Sequence, residues 1–121
     1  LACTLDTHIH ADHITGALQL QQRTGSRIAA PAFDRLPCTD IGVVEGVPLV
    51  VGSLSIQPLH TPGHTPACMT HTVGNAAFVG DTLFMPDGGS ARADFPGGSA
   101  RALWNSRGKA PSSRPRTAMT R

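Results

Sequence analysis

The sequence predicts a layered α+β domain, on three observations. The chain opens with a strand-loop-helix-strand pattern. It continues through short apolar runs broken by glycine, and polar clusters close two of those runs. At 121 residues, 40% hydrophobic and 15% charged, it suits one domain with one modest core.

Residues 1–7 (LACTLDT) supply a short strand, which places His8 at a strand's carboxyl end. From Ile14 to Thr24, Ile14, Ala17, Leu18 and Gln21 fall on one side at helical spacing. Asp12 is the expected cap of the first turn and Gly25 the stop. Arg27 to Ala30 then reads as a strand, and Pro31 to Asp40 as a loop. Five strand-like runs follow: 42–45, 48–51, 53–59, 66–73 and 76–79, with turns at Glu45-Gly46, Val51-Gly52 and Gly74-Asn75. Residues 83–98 form a glycine-rich loop, and Ser99 caps a helix that takes in Ala100 to Trp104. Residues 107–121 carry five positive charges, two prolines and no Val, Ile, Leu or aromatic residue, so they are expected to be a disordered tail outside the domain 1–106.

The net charge of +2 belongs to that tail. All eight acidic residues lie at or before Asp94, and residues 1–106 carry a net −3, which leaves no basic face for nucleic acid. No run approaches 18 apolar residues, and the first residues lack a secretory pattern, so no membrane association and a cytoplasmic location are expected. Cys3, Cys38 and Cys68 are odd in number and widely spaced, which suits small buried hydrophobes better than a disulfide framework.

The chemistry concentrates in His8-Ile9-His10-Ala11-Asp12-His13, four potential ligands within six residues. Thr61-Pro62-Gly63-His64 adds a histidine on a sharp turn, since proline fixes φ and glycine permits the bend. Asp81 follows the apolar run 76–79 and Gly80. Together these residues predict a metal site. Two histidines and a carboxylate suit a non-haem iron centre, whereas three histidines suit zinc, and spacing alone selects neither. His60 is expected to support the site or pack against its strand, and His71 to face solvent or fill a core edge.

HIHADH, TPGHT and VGDTLF, in this order, resemble the metallo-β-lactamase superfamily. HADHITGA and LFMPDGGSARADFPGGSARALWNS further resemble its persulfide dioxygenase (sulfur dioxygenase) branch, including bacterial members called β-lactamase hydrolase-like. The resemblance runs from about residue 3 to Ser106 and implies an αββα sandwich of two sheets. Strands before the histidine cluster and the C-terminal part are missing from that pattern, so a fragment is expected, and a homodimer completing the sandwich is left open.

The resemblance implies an enzyme with one iron(II) per chain that oxidises glutathione persulfide, or a related thiol persulfide, with O₂ to sulfite and thiol. His8, His64 and Asp81 would be its metal ligands. His10, Asp12 and His13 would lie beside them, as outer-shell groups or second-metal positions. Arg92 and Asp94 match the branch's arginine-x-aspartate-phenylalanine segment and would contact substrate, with a loop brace as the rival role. A dinuclear zinc thioesterase of the glyoxalase II kind and an inactive metal-binding remnant are the competing readings.

Overall fold

The structure is a computed structural model that describes residues 1–85 and 88–109. All seven expected strands form: β1 (Cys3–Leu5), β2 (Arg27–Pro31), β3 (Ile41–Val43), β4 (Leu49–Val51), β5 (Leu54–His60), β6 (Met69–Val73) and β7 (Ala76–Phe78). Among the described residues two α-helices accompany them, α1 (Ala17–Thr24) and α2 (Ala100–Lys109).

The strands make two sheets, β1-β2-β3 and β4-β5-β6-β7. The first is parallel, its opening pair joined by α1 as the strand-helix-strand pattern requires. Asp40 fixes its last connection, since one carboxylate oxygen accepts both the Ile28 N–H and a Gln21 side-chain N–H, each at 2.7 Å. The second sheet is an antiparallel meander, with Gly74 at φ 57° turning the expected β6-β7 hairpin. Strand alternation sends Ala29 and Val43 from the first sheet and Met69 from the second into one core cluster, flanked by Leu5, Ile41 and Leu49. The core therefore lies between the sheets, in the arrangement expected of a partial sandwich. A backbone bond from the Met69 N–H to the Thr7 carbonyl, at 2.8 Å, joins the sheets where β1 ends.

α1 differs from expectation. It begins at Ala17 with Gly16 as its N-cap and no side-chain cap bond, and Ile14 is left 95% exposed. Asp12 does not cap it, because its carboxylate pairs with the neighbouring His13 ring at 3.2 Å. Gly16 has no side chain with which to bond the free N–H groups of the first turn. Gly25 ends α1 as expected, in the left-handed region at φ 70°.

α2 starts as expected, with the Ser99 hydroxyl oxygen accepting the Ala102 N–H at 3.2 Å. It then runs to Lys109, so the first three residues of the expected tail, Arg107–Lys109, are helical. Residues 110–121 lie outside the described residues. The cysteines are free, but only Cys68 is buried, and Cys38 is exposed rather than packed. No helix among the described residues is long and apolar enough to cross a membrane.

Candidate metal centre

Three chain segments converge at one end of the two sheets. The first leaves β1 at Thr7 and delivers His8 and His10. The second is the Thr61–His64 turn after β5, and the third is the short 3₁₀ turn Gly80–Thr82 after β7, which carries Asp81.

Close backbone approach sets each of them. Gly80 sits at φ 51°, and a Cβ there would meet the Thr7 hydroxyl at 2.6 Å, so glycine lets the Asp81 turn reach the end of β1. Gly63 sits at φ 141°, where a Cβ would fall 2.3 Å from the Leu103 backbone. α2 therefore lies directly on the histidine turn, and its Ser106 hydroxyl donates to the Pro62 carbonyl at 2.7 Å. Beneath the centre, the buried hydroxyls of Thr61, Thr70 and Thr82 lie in a chain at 3.1 Å spacings, joining the turn before His64 to the turn of Asp81.

His8, His10, His64 and Asp81 each turn one potential ligand atom inward, and these four atoms lie within 4.8 Å of one another. His64 Nε2 stands 2.9 Å from His10 Nε2 and 3.2 Å from Asp81 Oδ2, while His8 Nε2 stands 3.7 Å from the same carboxylate oxygen. The protonation pattern of His64 follows from its other nitrogen, which lies 2.7 Å from the Arg92 backbone carbonyl. A carbonyl only accepts, so Nδ1 carries a proton and Nε2 is the nitrogen turned toward the other donors. A lone pair facing a carboxylate at that separation is repulsive unless a proton or cation lies between them. The donor set therefore fits a metal ion, with the outer hydrogen bond fixing the tautomer that such a ligand needs.

His8 is poised similarly. Its Nδ1 lies 3.0 Å from the Thr7 hydroxyl, and burial holds its pKa below the ordinary histidine value, against the opposing pull of Asp81. A neutral imidazole is the form that binds metal.

Of the expected site residues, the structure thus gathers His8, His64 and Asp81, and it adds His10 as a full member of the donor group. Asp12 and His13 remain outside this group, exposed and paired with each other, and the pairing keeps the Asp12 carboxyl below its usual range. They still border the same open cleft of about 410 Å³. Arg92 lines that cleft and forms a two-pronged pair with Asp94, which holds the Asp94 carboxyl low and raises the guanidinium further. His60 lies away from the centre and donates to the Pro66 carbonyl at 2.8 Å, bracing the turn. His71 is buried rather than solvent-facing, at 2% exposure. Sequence reasoning missed the threonine chain and also Phe95, whose ring lies against His10 and His64. Only the position of Phe95 one residue after Asp94 hinted at it.

The model of the metallo-β-lactamase superfamily matches residues 6–120. The chain belongs to that superfamily. It is 44% identical over 137 residues to a probable metallo-hydrolase of Burkholderia pseudomallei, an alignment covering 84% of this chain and 45% of the relative. A β-lactamase hydrolase-like protein of Agrobacterium fabrum is 46% identical over 120 residues, covering 84% of this chain and 28% of the relative. A hydroxyacylglutathione hydrolase of Acidiphilium cryptum is 44% identical over 81 residues, covering 64% and 33% respectively. Among solved structures, ETHE1 from Myxococcus xanthus superposes with a TM-score of 0.81 at 35% identity, covering 89% of this chain and 47% of that one. The chain therefore has the metallo-β-lactamase fold and spans less than half the length of these proteins. Superfamily membership and the inward-turned donors agree on a centre able to hold a metal ion.

Proposed function

We propose that this chain carries the metal-binding portion of a persulfide dioxygenase. The net reaction is glutathione persulfide, O₂ and water giving glutathione, sulfite and two protons. The outer sulfur loses four electrons and O₂ takes them up, while water supplies the third sulfite oxygen. The observation that carries this reading is the convergence of His8, His64 and Asp81 beneath a cleft walled by the Arg92–Phe95 segment, the motif by which the sequence resembles that branch. The likeness to ETHE1 supports it.

Iron(II), when bound by this set, supplies open positions and redox capacity. The protein's residues do the rest. His8 and His64 offer imidazole nitrogens, Asp81 offers a carboxylate, and the Arg92 carbonyl orients the His64 ring so that Nε2 faces the site. Asp94 occupies one edge of the Arg92 guanidinium, and its remaining N–H groups suit a carboxylate of a glutathione-like substrate. Phe84 and Phe95 give the cleft an apolar border.

A second reading rests on His10. With it the group has three imidazoles and one carboxylate, a set suited to zinc, and a hydroxyacylglutathione hydrolase is among the relatives. The test is elemental analysis of protein purified without air, then oxygen uptake with glutathione persulfide. About one iron per chain with uptake is the expected result. Zinc with thioester hydrolysis and no uptake would replace this reading with the second.

A further inference from the structure

We propose that Phe95 is a positioning residue of the metal centre, its ring ordering two ligand imidazoles and the neighbouring guanidinium at once. The inference rests on the reading that His8, His10, His64 and Asp81 hold a metal ion.

The ring centroid of Phe95 lies 5.1 Å from that of His10 and 5.2 Å from that of His64, the latter edge-to-face at 89°. The Arg92 guanidinium lies 4.9 Å from the same centroid. These separations are those of attractive aromatic and cation–π contacts. The side chain is only half-buried and takes no part in the core cluster between the sheets. Its aromatic and cation–π contacts are with donor-group histidines and the cleft arginine, which ties its packing to the site.

The backbone holds that ring in place. The Gly98 N–H donates to the Phe95 carbonyl at 2.7 Å, and a Cβ on Gly98 would meet the Ala93 carbonyl oxygen at 2.5 Å, so the turn closes only around glycine. On one side the Ala91 N–H donates to the Asp81 carbonyl at 3.2 Å. On the other, the Ser99 N–H donates to the Gly63 carbonyl at 2.8 Å. The loop is thus tied to the backbone of one ligand and to the residue preceding another.

One consequence concerns His10. Its ring centroid lies 4.9 Å from that of His64 and 5.0 Å from that of His13. The Phe95 ring lies against both His10 and His64, which favours the orientation that keeps His10 in the His8/His64/Asp81 group. Without the ring, His10 is free to turn toward Asp12 and His13. Phe95 therefore tightens the centre and limits its donor set.

The test uses cobalt(II) as a spectroscopic ion, comparing the parent chain with Phe95→Ala, Phe95→Leu and Phe95→Tyr. Visible absorption and retention against a chelator are read alongside far-ultraviolet circular dichroism. Phe95→Ala and Phe95→Leu are expected to alter the cobalt bands and weaken retention about tenfold, while Phe95→Tyr preserves both. Leucine keeps apolar volume without the ring, so it still decides the matter if the alanine variant does not fold. Parent-like bands and retention in folded Phe95→Leu would overturn the positioning role while leaving the metal reading intact. No cobalt uptake by the folded parent would overturn the metal reading and this inference with it.

Discussion

Two histidines in this protein are buried to the same degree and meet opposite fates. His64 and His71 are each 2% exposed, and each directs one ring nitrogen at a backbone carbonyl, of Arg92 and of Asp6 respectively. The difference lies at the second nitrogen. His64 Nε2 faces His10 and Asp81, with His8 completing the set. His71 Nδ1 has no hydrogen-bond partner among the described residues, and its ring borders an apolar cleft of about 570 Å³ lined by Leu5, Leu54, Ile56, Val73 and Phe78. Burial and a carbonyl tether fix a tautomer, but they do not make a ligand. Other donors converging on the free lone pair are what make one.

Substituting the two histidines should sharpen this contrast most. His64→Ala is expected to remove nearly all bound metal and reduce activity by about a thousandfold or more, as loss of a group acting directly at a reacting centre does. His71→Leu should leave metal content unchanged. Elemental analysis of both folded variants decides it, and loss of metal from His71→Leu would break the comparison.

Two glycines give the next largest contrast. Gly63 delivers His64 and has no room for a Cβ against Leu103, whereas Gly74 turns the hairpin after the His71 strand with open space around it. Gly63→Ala is expected to cost about 3 kcal/mol or more through overpacking and backbone strain, and to lower metal retention. Gly74→Ala carries only the strain of φ 57°, about 1 kcal/mol. Urea unfolding midpoints at constant m would separate them.

The smallest effect is a pH slope. Burial lowers the pKa of His71 below the ordinary 6.5, against a weaker opposing effect of the Asp6 carbonyl. The unfolded chain therefore binds the proton more readily than the folded one. Stability from this group is present above pH 6.5 and is lost as pH falls from there through the folded value. In metal-free protein, His71→Leu should flatten that fall by at most about 1.4 kcal/mol per pH unit, the limit for one proton. His8, also lowered by burial, contributes with the same sign. An unchanged slope in the variant would show that His71 titrates alike in both states.

How much was legible beforehand follows the same division. The seven strands were readable because glycine and proline interrupt the apolar runs at nearly every boundary. The start of α1 was not, because spacing cannot reveal that Asp12 turns to His13 and leaves Gly16 to begin the helix. His8, His64 and Asp81 stood out because each follows a strand at a bend. His10 was read as a neighbour of the centre because alternation along a chain does not say how far a ring must rotate to meet His64. His71 could not be placed, since its sequence neighbours Thr70 and Thr72 mark no apolar face, although Thr70 and His71 are both buried.

Sequence alone determined which groups could serve as ligands, where the chain bends to present them, and the superfamily to which those motifs belong. Only the tertiary structure decided which groups meet. The donor distances depend on three segments far apart in the chain, held by Gly63 against Leu103, Gly80 against Thr7 and the threonine chain beneath. Such close approaches are set by packing between elements, and no local pattern of residues encodes their distances.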